Sequence, residues 1–119
     1  WALLQENQLL KWNANILGSN AQLDTSNFFN TTGTWINCSI TFNGSALIIY
    51  KNGSNVNDSS SGDRNMNANN NDMTIGFQNF SSGRYFNGQI GPILIYNRAL
   101  SAGEVLQNYN RLKGRFGLS

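Results

Sequence analysis

The sequence predicts an all-β, antiparallel fold that ends in one short helix, and three features of the 119-residue chain support this. About one residue in six is Asn, which together with Gly and Ser makes the chain rich in turn formers and poor in helix formers. An alternating apolar run is followed by Asn-Gly, the signature of a strand that enters a hairpin. Near the C-terminus a Ser precedes a Glu by three residues, as at a helix start.

The first hairpin is predicted between residues 34–42 and 46–50. The run TWINCSITF alternates with the period of a half-buried strand, and its apolar face is formed by Ile36, Cys38, Ile40 and Phe42. Asn43-Gly44 separates this run from ALIIY, and both residues tolerate the positive φ of a type I′ turn. The two runs are therefore expected to pair antiparallel.

Two further strands are predicted after a polar stretch. Asn52-Gly53 is a second turn, and residues 54–72 carry so few apolar side chains that they predict a long exposed loop or a weak edge strand. MTIGF, residues 73–77, predicts the next strand. IGPILIY, residues 90–96, is apolar on both faces, which predicts a strand covered on each side, with Pro92 at an edge or a bulge.

The N-terminal third gives two readings. NQLLKW, NILG and AQLDT fit strands, whereas LLQENQLLKW fits a helix equally well. Both readings stay open at the level of sequence.

The C-terminal helix is predicted from its ends. Ser101 and Glu104 have the spacing of a capping box, and Leu100 precedes them in position for a hydrophobic staple. Apolar side chains then recur at helical spacing, at Val105, Tyr109 and Leu112. Gly114 is suited to end the helix in a left-handed cap, and the apolar residues after it predict that the tail packs against its own sheet or a neighbour.

Composition excludes several classes of function. The net charge is only +2, and three of the eight basic residues crowd the C-terminus, so nucleic-acid binding is not expected. No apolar run is long enough to cross a bilayer, and no membrane insertion is expected. Cys38 is the single Cys of the sequence, which excludes an internal disulfide.

Taken in order, these elements resemble the C-terminal portion of a laminin G-type, concanavalin A-like jelly-roll domain. The resemblance covers residues 35–113 and is carried by six motifs: Trp35, Tyr50 to Gly53, Ile75-Gly76, Phe86 to Gly88, Tyr96 to Arg98, and Leu100 to Glu104. It implies an antiparallel jelly-roll sandwich and one laminin G-like β-sandwich domain over residues 1–119. A complete domain of this family is usually longer, so N-terminal strands are expected to be missing. They lie upstream, are supplied by a neighbouring chain, or are dispensable in a reduced version.

The segment YNRALSAGEVLQNYNRLKGRFGL is also similar to the C-termini of laminin G-like domains in virion structural proteins of tailed phages. This resemblance implies a virion component on the particle surface. Bacterial secreted proteins share the jelly roll, so a secreted or cell-surface location is the alternative.

Catalytic residues are not predicted. Glycoside hydrolysis needs two carboxylates that face one bond, and no two acids lie at positions i and i+2 on a predicted strand among Glu6, Asp24, Asp58, Asp63, Asp72 and Glu104. The chain has no His to serve as a base, and Glu104 is assigned to the helix cap. We therefore predict a protein that is not an enzyme.

A calcium site is considered and set aside. DRNMNANNND alternates oxygen-bearing side chains, with Asp63, Asn65 and Asn67 as weak calcium candidates, and laminin G-like domains often hold calcium. The run lacks the Gly and the closing Glu of a calcium loop, and so few charges bind weakly. A solvated loop is the favoured interpretation, and no cofactor or metal is predicted.

Sugar binding is the competing hypothesis, because lectin-like modules are common in the family. Aromatic side chains beside amide and carboxylate groups are at Trp12, Phe80 and Tyr85. Tyr85, next to Arg84 in a turn, is the best candidate for an exposed ligand-binding residue, whereas Phe86 is expected in the core.

Six Asn-x-Ser/Thr sequons occur in the chain, and they would matter only in a eukaryotic secretory setting. Asn37 within a strand and Asn43 in a hairpin are expected to be poor acceptors.

The sequence thus predicts a non-enzymatic virion structural or decoration module, or part of a fibre, whose partners are other virion proteins or copies of itself. The alternative is a secreted carbohydrate-binding or adhesion module with a glycan partner. Specific sugar binding that is abolished by Tyr85→Ala would favour the alternative.

Overall fold

The computed structural model describes residues 2–6, 9–16, 19–25, 28–60, 73–78 and 84–119. Within them the chain forms strands and, at its C-terminal end, one α-helix followed by a single 3-10 turn. The strands are β1 (Ala2–Glu6), β2 (Leu9–Ile16), β3 (Ser19–Thr25), β4 (Cys38–Phe42), β5 (Ala46–Lys51), β6 (Ser54–Ser60), β7 (Phe77–Gln78) and β8 (Arg84–Tyr85). Helix α1 spans Ala102–Leu112, and the 3-10 helix spans Lys113–Phe116.

The strands form three antiparallel units. Strands β1, β2 and β3 make one sheet, in that order, and β4, β5 and β6 make a second, while β7 and β8 form a two-stranded ribbon. The N-terminal third is therefore β-structure, which decides between the two readings of LLQENQLLKW in favour of strands.

The predicted hairpin at Asn43-Gly44 is confirmed in its pairing but not in its turn type. Strands β4 and β5 pair antiparallel, with Phe42 opposite Leu47. Gly44 has a φ of 94°, but Asn43 does not have the positive φ that a type I′ turn requires. Instead the Asn43 side chain accepts hydrogen bonds from the amides of Ser45 (2.9 Å) and Ala46 (2.7 Å), which closes a wider turn.

The second Asn-Gly pair forms the two-residue turn. Asn52 and Gly53 have φ values of 50° and 78°, as a type I′ turn demands, and Lys51 pairs with Ser54 across it. The polar stretch that follows begins as strand β6, so the prediction of a weak edge strand holds for residues 54–60. The register of β6 slips by one residue between its pairings with Ile49 and Tyr50, which marks a bulge.

The core lies on the β4–β5 hairpin. Phe28, Leu47 and Ile49 are buried, and the predicted apolar face of β4 packs against them, together with Phe29. Strand β5 is buried on its other face too, because Tyr50 is only 2% exposed. The predicted strand at residues 34–42 begins only at Cys38, since the Asn37 amide and carbonyl pair instead with Asn52.

Helix α1 confirms the predicted capping box. The Ser101 hydroxyl accepts from the Glu104 amide, and the Glu104 carboxylate accepts from the Ser101 amide at 2.9 Å. Val105 and Tyr109 are the buried face of the helix, whereas the staple through Leu100 stays a prediction. The left-handed cap at Gly114 is wrong. The 3-10 turn extends the helical segment, so Gly117, with φ 65°, ends it.

Three strand and core predictions near the C-terminus are wrong. Of MTIGF, only Phe77 is in a strand, because Gly76 turns the backbone with a φ of 74°. Residues 90–96 form no strand in the structure, since no described strand pairs with them. Their large side chains are exposed rather than buried. Phe86 is 40% exposed and covers the turn at Gly88 instead of entering the core.

Candidate functional surface

The main feature of the described surface is an uncharged apolar segment, residues 90–96. Its five large side chains, Ile90, Ile93, Leu94, Ile95 and Tyr96, are between 45% and 67% exposed, with Ile95 the most exposed. Single exposed apolar residues are ordinary, but consecutive ones are not. The sequence pattern that predicted a covered strand therefore identifies an apolar surface that is exposed in the described part of the chain.

The start of the apolar segment is held by two aromatic rings. The Trp35 and Phe116 rings lie with centroids 4.7 Å apart. A Cβ added at Gly91 would lie 3.3 Å from the Phe116 Cζ atom and 3.6 Å from the Trp35 Cζ3 atom. Gly91 thus lets the backbone pass close to both rings. This contact also confirms that the C-terminal tail packs against its own chain.

The end of the segment is fixed to helix α1. The Asn108 side-chain amide donates to the Tyr96 hydroxyl at 3.0 Å. Two residues later, Arg98 forms a bidentate pair with Glu104, with distances of 2.6 Å from Nη2 to Oε1 and 2.9 Å from Nη1 to Oε2. Such paired hydrogen bonds fix geometry as well as charge.

The charge of Glu104 is maintained by these partners. The hydrogen bond from Arg98, followed by that from the Ser101 amide, lowers the pKa of Glu104 to about 2. In turn, the hydrogen bond to Glu104 raises the pKa of Arg98 above its ordinary value. Sequence reasoning assigned Glu104 to the cap and included Arg98 in a family motif, but it missed the pairing of these two residues, for which a basic residue just before the capping box is the signal. This acid therefore has a structural role.

A pair of exposed aromatic rings lies beside the apolar segment. Phe77 and Tyr85 are opposite each other on β7 and β8, and their rings stack with centroids 5.7 Å apart and planes 17° apart. Tyr85 is 73% exposed. The Phe86 amide donates to the Gly76 carbonyl at 2.7 Å, and a Cβ added at Gly76 would lie 3.3 Å from the Ile90 Cδ1 atom. The aromatic pair and the apolar segment are thus neighbours.

The sequence-predicted ligand residues are only partly brought together. Tyr85 is exposed as expected, and its stacking partner Phe77 was missed because period-2 alternation does not show which strands pair. For Arg84 the structure describes the backbone, which pairs with Gln78. Trp12 is in strand β2, opposite Leu3 and Leu23. Phe80 and the calcium candidates Asp63, Asn65 and Asn67 lie outside the described residues.

Neither a metal cluster nor an activated thiol is found in the described part of the chain. No group of three or more His, Cys, Asp or Glu side chains occurs there. Burial raises the pKa of Cys38 to about 12, so its thiol stays protonated and unreactive at neutral pH.

Several asparagines of the sequons serve the backbone. The Asn43 side chain accepts a hydrogen bond from the Ser45 amide within its turn, and the Asn52 side chain accepts one from the distant Asn37 amide. Asn37 Oδ1 is buried without a donor among the described residues. The Asn43 and Asn52 side chains therefore stabilise the backbone, and the expectation that Asn37 and Asn43 are poor glycan acceptors stays a prediction.

No helix in the described ranges has the length and apolarity needed to cross a membrane.

Comparisons with known proteins place the chain in a family. No curated protein matches the sequence. One solved structure that resembles the chain is an S-layer domain-containing protein (residues 221–444) from Clostridium thermocellum, with 23% identity and a TM-score of 0.56. The match covers 85% of this chain and 51% of the other, so the chain spans about half the length of that structure.

At this identity the structural likeness concerns the fold alone. The sequence profile of the concanavalin A-like lectin/glucanase superfamily, in its laminin G form, matches residues 2–106. This agrees with the antiparallel sheets and the single C-terminal helix. The chain therefore belongs to the concanavalin A-like lectin/glucanase superfamily.

Proposed function

We propose that this domain is a non-enzymatic structural module of an extracellular assembly that works through protein–protein contacts of its surface. The observation that carries the proposal is the apolar segment, which is exposed along its length and fastened at both ends. A surface of this kind is typical of an interaction site and unlike a catalytic cleft. Its sandwich is expected to be a jelly roll.

Two arguments support an extracellular location. The C-terminal sequence is similar to laminin G-like domains of phage virion proteins, which favours a decoration or fibre protein of a particle. The structural neighbour is named as an S-layer domain-containing protein, which favours a cell surface. The structural role is the same in both settings, and we place the virion first because its resemblance involves the motif that fastens the apolar segment.

We propose that the domain is not an enzyme because of the hydrogen bonds and the lowered pKa of Glu104. This carboxylate is hydrogen-bonded to Arg98 and Ser101, and its lowered pKa removes it as a general acid. We expect no release of reducing sugar from β-glucans or other polysaccharides. Measurable release would contradict the proposal.

The direct test is the position of the protein in its native setting. Antibodies against the chain, detected by immunogold electron microscopy, are expected to label virions in many regularly spaced copies. Pre-immune serum is the control. Regular labelling of a cell envelope would mean that the protein has the same structural role on a cell surface. Labelling confined to the cytoplasm would refute a role in an extracellular assembly.

Carbohydrate binding is the second candidate, and the stacked Phe77–Tyr85 pair favours it. An exposed aromatic face beside polar side chains can stack on a sugar ring. A glycan array separates the candidates. Specific binding that is lost in Tyr85→Ala and kept in Val56→Ala, which removes an exposed apolar side chain elsewhere, would favour an adhesion module.

A further inference from the structure

The apolar segment combines exposed side chains with backbone groups that pair with no other part of the described ranges. No backbone hydrogen bond joins residues 90–96 to any other described residue. These residues are not helical, and none of them has a positive φ. A non-helical segment whose backbone groups bond to none of the described residues can act as a template for another strand.

We propose that this segment pairs antiparallel with the same segment of a second copy, across a two-fold axis through Ile95. The inference rests on the proposed function, of which it names one partner. It assigns the contact to the edge at residues 93–97. The occupant is a second copy of this chain.

Symmetry restricts the register of such a contact. A two-fold axis that relates antiparallel strands stands perpendicular to the sheet, so each residue must face a residue of the same side. An axis through Leu94 would place Pro92, which has no amide hydrogen, opposite Tyr96. An axis through Ile95 avoids Pro92 and places Leu94 opposite Tyr96, an aliphatic–aromatic pair that stabilises sheets.

Charge and area favour a second copy over a charged partner. Residues 85–97 contain no Lys, Arg, Asp or Glu, so two copies meet without repulsion. With side-chain areas of roughly 150–200 Å², the exposed fractions of 45–67% at the four large side chains of residues 93–97 give roughly 320–430 Å² in each copy. Counted in both copies, this area is roughly 650–850 Å², the size of a weak, reversible contact. The neighbouring Phe77 and Tyr85 add to it.

Strand β6 is another edge of the described sheets, and it is less suited to pairing. Its bulge beside Tyr50 interrupts the ladder, and bulges protect edges from association. Val56, on β6, is 45% exposed, which makes it a matched control for a side chain of the apolar segment.

The first test is the mass of the full chain in solution, by sedimentation velocity over a range of concentrations. We expect a dimer with a Kd below about 100 µM. Ile95→Lys places two like charges opposite each other on the axis and should raise the Kd at least ~10-fold. Val56→Lys should leave it unchanged. Ile95 is 67% exposed, so circular dichroism should show both variants folded.

The second test reads the register by disulfide cross-linking under mild oxidation. Ile95→Cys places two thiols opposite each other on the axis and should form a covalent dimer. Ile93→Cys is on the same side of the same segment, but its two copies would lie about 13 Å apart along the strands, too far to bridge. Cys38 is half-buried and its thiol stays protonated, so it should not compete.

The outcomes separate the two proposals. A wild-type chain that stays monomeric, or a dimer broken by Val56→Lys but not by Ile95→Lys, overturns this inference and leaves the proposed function to the labelling experiment. Equal cross-linking at residues 93 and 95 overturns the proposed register. Cytoplasmic labelling with an intact Ile95 dimer would refute the proposed function alone.

Discussion

Gly53→Ala should destabilise the domain more than any other substitution of a turn glycine in the described residues. Gly53 is buried in the β5–β6 turn with a φ of 78°, a conformation that costs an L-residue about 1–2 kcal/mol. A Cβ there would lie 2.9 Å from the Leu106 Cδ1 atom and 3.2 Å from the Tyr109 Cβ atom. This glycine therefore permits both the turn and the close approach of helix α1.

The magnitude follows from which neighbour can move. Leu106 is 45% exposed, so its methyl group can rotate away at little cost. Tyr109 is buried, and its Cβ is fixed to the helix backbone, so α1 itself must shift, at an overpacking cost of about 1–3 kcal/mol. Alanine also stiffens the unfolded chain, which offsets about 0.4–1 kcal/mol. The net expected loss is about 2–4 kcal/mol in the free energy of unfolding.

Urea unfolding followed by circular dichroism measures this loss, and Gly44→Ala is the matched control. Gly44 is also a turn glycine with positive φ, at 94°, but a Cβ there meets no atom within 4 Å. The control should lose only about 0.5–1 kcal/mol, the difference between the backbone cost and the unfolded-state gain. Losses within ~0.5 kcal/mol of each other would refute the claim that α1 packs on the Gly53 turn.

Three further predictions concern the fastening of the C-terminal segment and the buried thiol. Because the pKa of Glu104 is lowered in the folded state, its stabilisation is present above its ordinary value of 4.5 and is lost as pH falls towards about 2; acid titration of Glu104→Gln should lack this component. Phe116→Ala, or deletion of residues 115–119, should lower the free energy of unfolding by about 1–3 kcal/mol, because the contact of the Phe116 ring with Trp35 is lost. Cys38, with a pKa of about 12, should react with a thiol reagent at pH 8 at least ~10-fold more slowly in the folded than in the unfolded chain.

Each of these has an outcome that contradicts it. Identical acid titration curves for wild type and Glu104→Gln would show that the Arg98 pair does not form in solution. Unchanged stability without the ring of Phe116 would mean that the tail does not pack on Trp35. Labelling of Cys38 at equal rates in the native and urea-unfolded chains would show that the Cys38 side chain is accessible to water in the folded protein.

The signals that predicted the fold correctly are local ones. Alternation in residues 36–42 fixes which side chains face the core, because successive residues of a strand point to opposite sides. The Ser101–Glu104 spacing defines the helix start because a capping box is completed within four residues. The exposed Tyr85 was also correctly selected from its charged neighbour Arg84, although the two residues form strand β8 and not the predicted turn.

The candidate surface was predicted only in part, because its exposure depends on what pairs with it. Residues 90–96 read as a buried strand, yet a strand forms only where a partner supplies hydrogen bonds. The Phe77–Tyr85 stack depends on the pairing of β7 with β8, and the two Asn-Gly turns have different geometries although their sequences agree. None of these is encoded within a few residues.

The sequence by itself determined the β class of this chain, its hairpin at residues 38–51, its core face and its capped C-terminal helix, because each depends on periodicity or on contacts within a few residues. The tertiary structure alone decided that Gly53 supports the helix, that Arg98 joins Glu104, and that residues 90–96 are exposed. The physical reason is that these features depend on atoms far apart in the chain, whose approach is set by the packing of the whole domain.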